Sequence, residues 1–165
     1  MIISLIAAMS RNRVIGLNER LPWGSLPKDW ENLFVVTEGK RMIMGRKSYD
    51  SEDRIWSKVG NFVISRQENL QLEEGFELKN SLSAALRAIQ PNEEVFILGG
   101  GEIFREAIKL SDRIHLTIVN AEFEGDTFFP DFEETEFKLK SSFHHPEDEK
   151  HHFDFWINLY EKDLK

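Results

Sequence analysis

The feature that most constrains this chain is a series of short apolar runs separated by segments with helical spacing or turn residues. These runs lie at 2–9, 41–44, 61–65 and 95–98. Each has the length of a buried strand rather than a helix, and strands that alternate with helices predict an α/β fold with a mostly parallel sheet. Later strand-like stretches, with no helical pattern between them, lie at 114–119, 136–143 and 153–161. We therefore predict flanking helices, antiparallel C-terminal strands and one domain over residues 1–165.

Charge and composition exclude several classes of function. The net charge of −8 opposes binding to nucleic acid and to anionic membrane surfaces. The chain has no cysteine, so disulfides and thiolate chemistry are absent and a reducing compartment is favoured. Residues 2–9 lack a basic leader and a cleavage pattern, and no run approaches the roughly 20 apolar residues of a membrane span. We expect a cytoplasmic protein whose partner is a small molecule, with no nucleic acid or membrane partner.

Anion-binding chemistry follows two of the predicted strands. A run of three glycines, 99–101, separates strand 95–98 from a helical stretch, so the backbone can approach a phosphate closely. Arg46 and Lys47 follow strand 41–44 in the same way, and together the two strand ends suit a dinucleotide. The glycine run also fits a tight turn, and the basic residues also fit a solvated face. The full Rossmann fingerprint is absent, because Phe104 stands where its last glycine belongs.

Asp29 is a candidate acid on a helix that we expect to begin near Ser25. The apolar face of this helix contains Leu26, Trp30, Leu33, Phe34 and Thr37. Asp29 lies at the border of that face, which allows two interpretations. It could be an ordinary carboxylate in the first helical turn, stabilised by the helix dipole. Alternatively, it could be a half-buried acid facing a pocket, with a pKa raised by lost hydration.

The histidines at 144, 145, 151 and 152 flank the segment 146–150, which reads as the tip of a solvated hairpin. Their spacing matches no common zinc pattern, so we predict no metal site. The default role of Trp23 and Trp30 is core packing.

Seven motifs, taken together, resemble dihydrofolate reductases over about residues 2–162. They are Ile3-Ser4-Leu5-Ile6-Ala7-Ala8, Val14-Ile15-Gly16, Leu21-Pro22-Trp23, Met44-Gly45-Arg46, Val63-Ile64-Ser65-Arg66, Gly99-Gly100-Gly101-Glu102-Ile103, and Glu124-Gly125-Asp126-Thr127 with Phe129-Pro130. The resemblance implies a single-domain, mostly parallel eight-stranded sheet and NADPH-dependent reduction of 7,8-dihydrofolate to 5,6,7,8-tetrahydrofolate, in support of one-carbon metabolism. It also implies a monomer that binds antifolate inhibitors.

The same resemblance assigns roles at the substrate end. Asp29 matches the acid that binds the pterin and favours protonation at N5, while hydride reaches C6. Thr117 matches the hydroxyl that supports this acid, Trp23 the residue that holds a nearby water, and Leu21 the tip of a mobile loop over the nicotinamide. The implied substrate-binding residues are Ile6, Ala7, Asp29, Trp30, Leu33, Arg54, Ile55, Lys58, Leu98 and Thr117.

On the cofactor side the resemblance implies three groups of residues. Those at the nicotinamide end are Ala8, Ile15 and Gly16. Those around the pyrophosphate are Gly45, Arg46, Lys47, Ser48, Gly99, Gly100, Gly101, Glu102 and Ile103, with Phe104 beside the nicotinamide. Ser65 and Arg66, with Arg46, would bind the 2′-phosphate, so the cofactor is expected to be NADPH rather than NADH.

Two positions depart from the family pattern. Phe104 replaces a tyrosine, which removes a hydroxyl near the nicotinamide. Val59 stands where the family has an arginine that holds the folate glutamate, so we expect weak tail binding in which Arg54 or Lys58 takes part. Two rival interpretations remain at this stage: a pyrimidine reductase of riboflavin synthesis, which shares the fold and cofactor, and a non-catalytic paralogue that binds NADPH or folate.

Overall fold

The computed structural model describes residues 1–133 and 135–163. The elements within these residues are β1 (Ile2–Ser10), β2 (Val14–Gly16), α1 (Pro27–Thr37), β3 (Arg41–Gly45), α2 (Arg46–Asp50), β4 (Asn61–Ile64), β5 (Phe76–Lys79), α3 (Leu82–Arg87), β6 (Glu94–Ile97), α4 (Gly101–Ala107), β7 (Arg113–Val119), β8 (Thr127–Phe128), β9 (Phe137–His145) and β10 (Phe155–Lys162). No helix among them has both the length and the apolar character needed to cross a bilayer.

The main sheet has eight strands in the order β5-β4-β3-β6-β1-β7-β10-β9. All pairs from β5 to β7 are parallel, whereas β10 runs antiparallel to both β7 and β9. The predicted α/β architecture with antiparallel C-terminal strands is therefore confirmed. Strand β5 completes the sheet, and β2 pairs with β8 in a separate two-stranded ribbon; these three strands were not located from the sequence.

The central strand β1 separates two packed layers. Ile3 and Leu5 pack in the large core that contains Leu82 of α3 and Phe104 of α4. Ala8 points to the opposite face, because side chains alternate along a strand, and it packs against the segment that leads into α1. Helix α1 therefore covers one face of the sheet beside β1, and its first turn lies near the carboxyl end of that strand.

Helix α1 begins at Pro27, two residues later than expected, because the fixed φ of proline suits the first helical position. The C-terminal half of this helix differs from the expectation at one residue. Phe34, placed on the buried face by helical spacing, is 55% exposed. Its ring lies 6.0 Å from that of Trp30 and lines a groove open to solvent, so this part of the apolar stripe faces the groove rather than the sheet.

Candidate active site

A cavity of about 1,940 Å³ lies between α1 and the carboxyl ends of the parallel strands, where ligands of open α/β sheets bind. Of the site residues predicted from the sequence, all but three line this cavity; the exceptions are Trp23, Lys58 and Gly99. Trp23 is buried in the core with Leu26, beside the site rather than on its wall. Lys58 lies in the adjoining groove.

Asp29 and Thr117 meet at the inner end of the cavity. The Thr117 hydroxyl donates a hydrogen bond to Asp29 Oδ1 at 2.5 Å. Burial raises the pKa of Asp29, and the hydrogen bond from Thr117 partly offsets this rise. Of the two interpretations of Asp29, the half-buried acid facing a pocket is therefore the one that fits. Such a carboxyl can hold a polar heterocycle and favour its protonated form.

The two predicted anion-binding turns lie side by side at the ends of the adjacent strands β3 and β6. The Gly45 amide donates to the Gly99 carbonyl at 2.7 Å. A Cβ on Gly45 would lie 2.9 Å from Ile103, and one on Gly99, whose φ is +107°, would lie 2.8 Å from the ring of Phe104. Gly99 requires glycine because of both its positive φ and the Phe104 ring, whereas the contact at Gly45 is with the flexible end of the Ile103 side chain. Gly100 has no atom within 4 Å of a built Cβ, so its backbone is open to the cavity.

Basic side chains surround the ends of β3 and β4. The Arg46 guanidinium donates to Asp50 at 2.8 Å and to Gln67 at 3.1 Å, which fixes its plane. Arg66 is exposed and forms no salt bridge with any of the described residues. Ser65 lies beside it on the cavity wall. This arrangement places two guanidinium groups and a hydroxyl where an anionic group could bind.

The loop that carries Leu21 is tied to the segment before β8. Asp126 Oδ2 accepts a hydrogen bond from the Asn18 amide at 3.0 Å. The Asp126 amide donates a hydrogen bond to the Gly16 carbonyl, also at 3.0 Å. The pKa of Asp126 is lowered, first by the Asn18 amide and then by the Thr127 hydroxyl. Asp126 belongs to the motif Glu124-Gly125-Asp126-Thr127, but its hydrogen bonds depend on a fold that brings together residues more than 100 positions apart.

A second groove adjoins the outer end of the cavity, between α1 and the loop that joins α2 to β4. Val59, at the position where the resemblance implies an arginine, is 46% exposed. Arg54 lines both spaces, but its guanidinium is already engaged: it donates to Glu73 at 2.6 Å and to the Tyr49 carbonyl at 3.1 Å. The Tyr49 and Phe76 rings also lie 4.6 Å from it. Arg54 is thus held rigidly at the groove, with part of its charge neutralised.

Phe104 is only 3% exposed and packs against Phe129 at 5.1 Å between ring centroids. It reaches the cavity from the core, so the aromatic surface expected there is present without a hydroxyl.

The C-terminal histidines are not all solvated. His151 is 4% exposed, because its ring packs near Phe155 and against the first turn of α1. The segment 146–150 is exposed, as expected for the tip of a solvated hairpin, whereas the flanking His151 is buried. His145, Asp148 and His151 offer ligand atoms within 4.8 Å of one another. The absence of a metal site stays a prediction.

The cavity wall also contains residues that the sequence did not predict, among them the start of α3 and a histidine on β7. Residues 80–82, at the start of α3, line its outer end, and the N-cap serine pattern of that helix was the available signal. His115 lines it on β7, two residues before Thr117 and therefore on the same face. Its Nε2 is buried without a hydrogen-bond partner among the described residues.

Comparisons with known proteins bear on this site. The family model for dihydrofolate reductase matches residues 2–162. The chain belongs to the dihydrofolate reductase family. It is 39% identical to dihydrofolate reductase type 3 of Salmonella typhimurium over 153 residues, 93% of each chain. It is 36% identical to the dihydrofolate reductase of Bacillus subtilis over 160 residues, 97% of this chain and 94% of that one.

The fold of this dihydrofolate reductase family member also matches a solved structure. That structure is dihydrofolate reductase from Enterococcus faecalis complexed with NADP(H) and RAB-propyl, at a TM-score of 0.86 and 24% identity, covering 99% of this chain and 97% of that one. The family and the eight-stranded architecture that the sequence motifs implied are therefore confirmed.

Proposed function

We propose that this protein is an NADPH-dependent dihydrofolate reductase that converts 7,8-dihydrofolate to 5,6,7,8-tetrahydrofolate. One observation carries the proposal: a buried carboxyl, Asp29, and a basic, glycine-lined cradle lie on the wall of the same cavity. The first suits a pterin and the second suits a dinucleotide, so the two ligands would meet between them.

Asp29 and Thr117 would hold the pterin. The Asp29 carboxylate accepts hydrogen bonds from the pterin amide and 2-amino group, and the Thr117 hydroxyl fixes its orientation. A negative charge in this buried position stabilises a pterin protonated at N5, which makes C6 a better hydride acceptor. Ile6, Trp30 and Leu33 supply the apolar walls that exclude water from the ring.

The glycines and the cationic side chains of the cradle both support NADPH as its ligand. At Gly99 a side chain would collide with the Phe104 ring, whereas Gly100 leaves its backbone open, as close approach of a phosphate requires. Arg46, Ser65 and Arg66 suit a 2′-phosphate dianion. When bound, NADPH supplies the hydride; this chain supplies orientation, electrostatics and a water-poor cavity.

The glutamate tail of the substrate would leave through the outer groove. Because Val59 cannot bind a carboxylate and Arg54 is paired with Glu73, we expect weak tail recognition with an electrostatic part from Lys58. The Michaelis constant for dihydrofolate should therefore be high and should increase with ionic strength.

Loss of NADPH absorbance with and without dihydrofolate tests the proposal, with Asp29→Asn as the matched variant. Dihydrofolate-dependent oxidation that the variant loses supports it. NADPH binding without oxidation would instead indicate the non-catalytic paralogue. Oxidation only with an aminopyrimidine ribosyl substrate would indicate the riboflavin-pathway enzyme.

We further propose a one-domain, monomeric, cytoplasmic enzyme that supports one-carbon metabolism and binds antifolates in the Asp29 pocket. The eight-stranded sheet that spans the chain supports the single domain, and the lack of cysteine suits a reducing compartment. Trp23, just behind the first turn of α1, would hold a water beside the pterin, and Leu21 would close the loop over the nicotinamide.

A further inference from the structure

Helix α1 lacks a capping side chain of its own. Its N-cap residue, Leu26, has no side-chain acceptor, and Pro27 has no N–H. The amide of Lys28 is therefore the first donor in the helix. The next two amides, those of Asp29 and Trp30, donate to the Leu26 carbonyl at 3.0 and 3.2 Å.

A histidine 123 positions away in the chain accepts a hydrogen bond from the Lys28 amide. His151 Nε2 lies 3.0 Å from the Lys28 nitrogen, and the histidine side chain is 5% exposed. An N–H can donate only to a nitrogen that carries no hydrogen, so the proton of the neutral ring must be on Nδ1. That Nδ1–H points at Asp148 Oδ1, 2.8 Å away.

Asp148 fixes this tautomer. Besides the hydrogen bond from the imidazole, its Oδ1 accepts hydrogen bonds from the backbone amides of Lys150 and His151, each at 2.9 Å. These contacts lower the pKa of Asp148, and the hydrogen bond from the His151 ring is the largest cause. The carboxylate is thus held as an anion that accepts from Nδ1 and leaves the Nε2 lone pair directed at α1.

We infer that the Asp148–His151 pair is a positioning element for Asp29. Asp29 directly follows Lys28, so its backbone is fixed by the His151 contact while its carboxyl is fixed by Thr117. The hairpin between β9 and β10 thereby sets the first turn of the helix that carries the acid. This inference rests on the proposed function, in which Asp29 touches the pterin.

The same three side chains that offer metal-ligand atoms argue against a metal here. A metal on His151 Nδ1 would displace the hydrogen bond to Asp148 and move the ring proton to Nε2. Two N–H groups would then face each other at 3.0 Å across the Lys28 contact. In the hydrogen-bonded arrangement, both ring nitrogens of His151 have partners. In a metal site, the Nε2–H would have no acceptor.

Three variants test the inference. His151→Phe keeps a ring of similar shape but has no acceptor, and we expect kcat for dihydrofolate to fall by about tenfold or more, since small misplacement of a reacting group is costly. The Michaelis constant for NADPH should not change. His151→Gln, whose side-chain oxygen can accept the Lys28 amide, should keep most of the turnover. His152→Phe alters the exposed neighbour and is the matched control.

Equal turnover in His151→Phe and the wild type, or equal losses in His151→Phe and His151→Gln, would overturn the inference. If His151→Phe does not fold, Asp148→Ala serves as the test variant. Asp148 is half-exposed, and without it nothing holds the His151 ring proton on Nδ1. A fall in kcat without a change in the Michaelis constant for NADPH supports the inference, and unchanged turnover overturns it.

Nitrogen NMR of wild-type His151 supplies a readout independent of activity. An unprotonated Nε2 with a protonated Nδ1 supports the cap, and the reverse tautomer contradicts it. A wild-type protein that shows this tautomer but does not reduce dihydrofolate would refute the proposed function and leave the cap itself intact.

Discussion

Asp29 combines properties that a structural residue would not need. It is buried, it receives a hydrogen bond from Thr117, and it lies on the wall of a large cavity. An ionised carboxyl in such a place lowers stability, since burial of a charge costs free energy, so its presence points to a functional role. Substitution of Asp29 should therefore change both turnover and stability, and a prediction is made for each.

The first concerns turnover. Asp29→Asn should lower kcat at neutral pH by about 10²–10⁴-fold, the usual contribution of a positioned acid or base. NADPH binding should be retained, because the cradle lies elsewhere on the cavity wall. Part of the lost rate should return at acidic pH, where solvent protonates more of the substrate. Steady-state rates across pH check this, and undiminished turnover at neutral pH would remove Asp29 from the mechanism.

The second concerns stability. Because burial raises the pKa of Asp29 in the folded state, its ionisation lowers the free energy of unfolding as pH rises through that pKa. Asp29→Asn should therefore unfold at a higher temperature than the wild type at neutral pH. The difference should vanish below the unfolded Asp pKa of about 3.9, where both states are neutral. Thermal melts at the two pH values measure it; an equal or lower melting temperature at neutral pH contradicts it.

Among the elements, we propose that the ends of β3 and β4 determine the choice of cofactor. Arg66→Ala should weaken NADPH binding by roughly tenfold to a hundredfold, since a charge-assisted bond contributes about 1.5–3 kcal/mol. NADH binding should hardly change. Titration of both cofactors against the wild type and the variant tests this. Equal weakening of NADPH and NADH would show that Arg66 does not bind the 2′-phosphate.

We propose that the loop between α2 and β4 determines how the substrate tail is held. Val59→Arg should lower the Michaelis constant for dihydrofolate if the clamp is absent. Glu73→Gln, which frees Arg54 from its partner, should lower it if Arg54 is an available clamp. No gain from Val59→Arg, together with a loss of about tenfold or more in Lys58→Ala or Arg54→Ala, would mean that the clamp has moved.

Elements with a strong pattern of their own were predictable from the sequence, and those that depend on a partner were not. The runs that became β1, β3, β4 and β6 are apolar because both faces are covered. Strands β2 and β8 contain three and two residues and exist only because they pair with each other. The burial of His151 and the pairing of Arg54 with Glu73 likewise arise from tertiary contacts that no local spacing encodes.

At the scale of the whole molecule, one sheet connects both ends of the chain, since β1 and β10 both pair with β7. We expect a single cooperative unfolding transition with an enthalpy of about 115 kcal/mol near 60 °C for 165 residues. Calorimetry at several protein concentrations checks this. Two transitions would contradict the single domain, and a melting temperature that rises with concentration would contradict the monomer.

The position of β1 in the sheet also has a consequence during synthesis. Its hydrogen-bonding partners are β6 and β7, which are made about 100 residues later. At translation rates of about 5–20 residues per second, this apolar strand waits several seconds or longer with both edges unpaired. An unpaired apolar strand is a template for aggregation. The nascent chain is therefore expected to need chaperone protection until residue 119 has emerged from the ribosome.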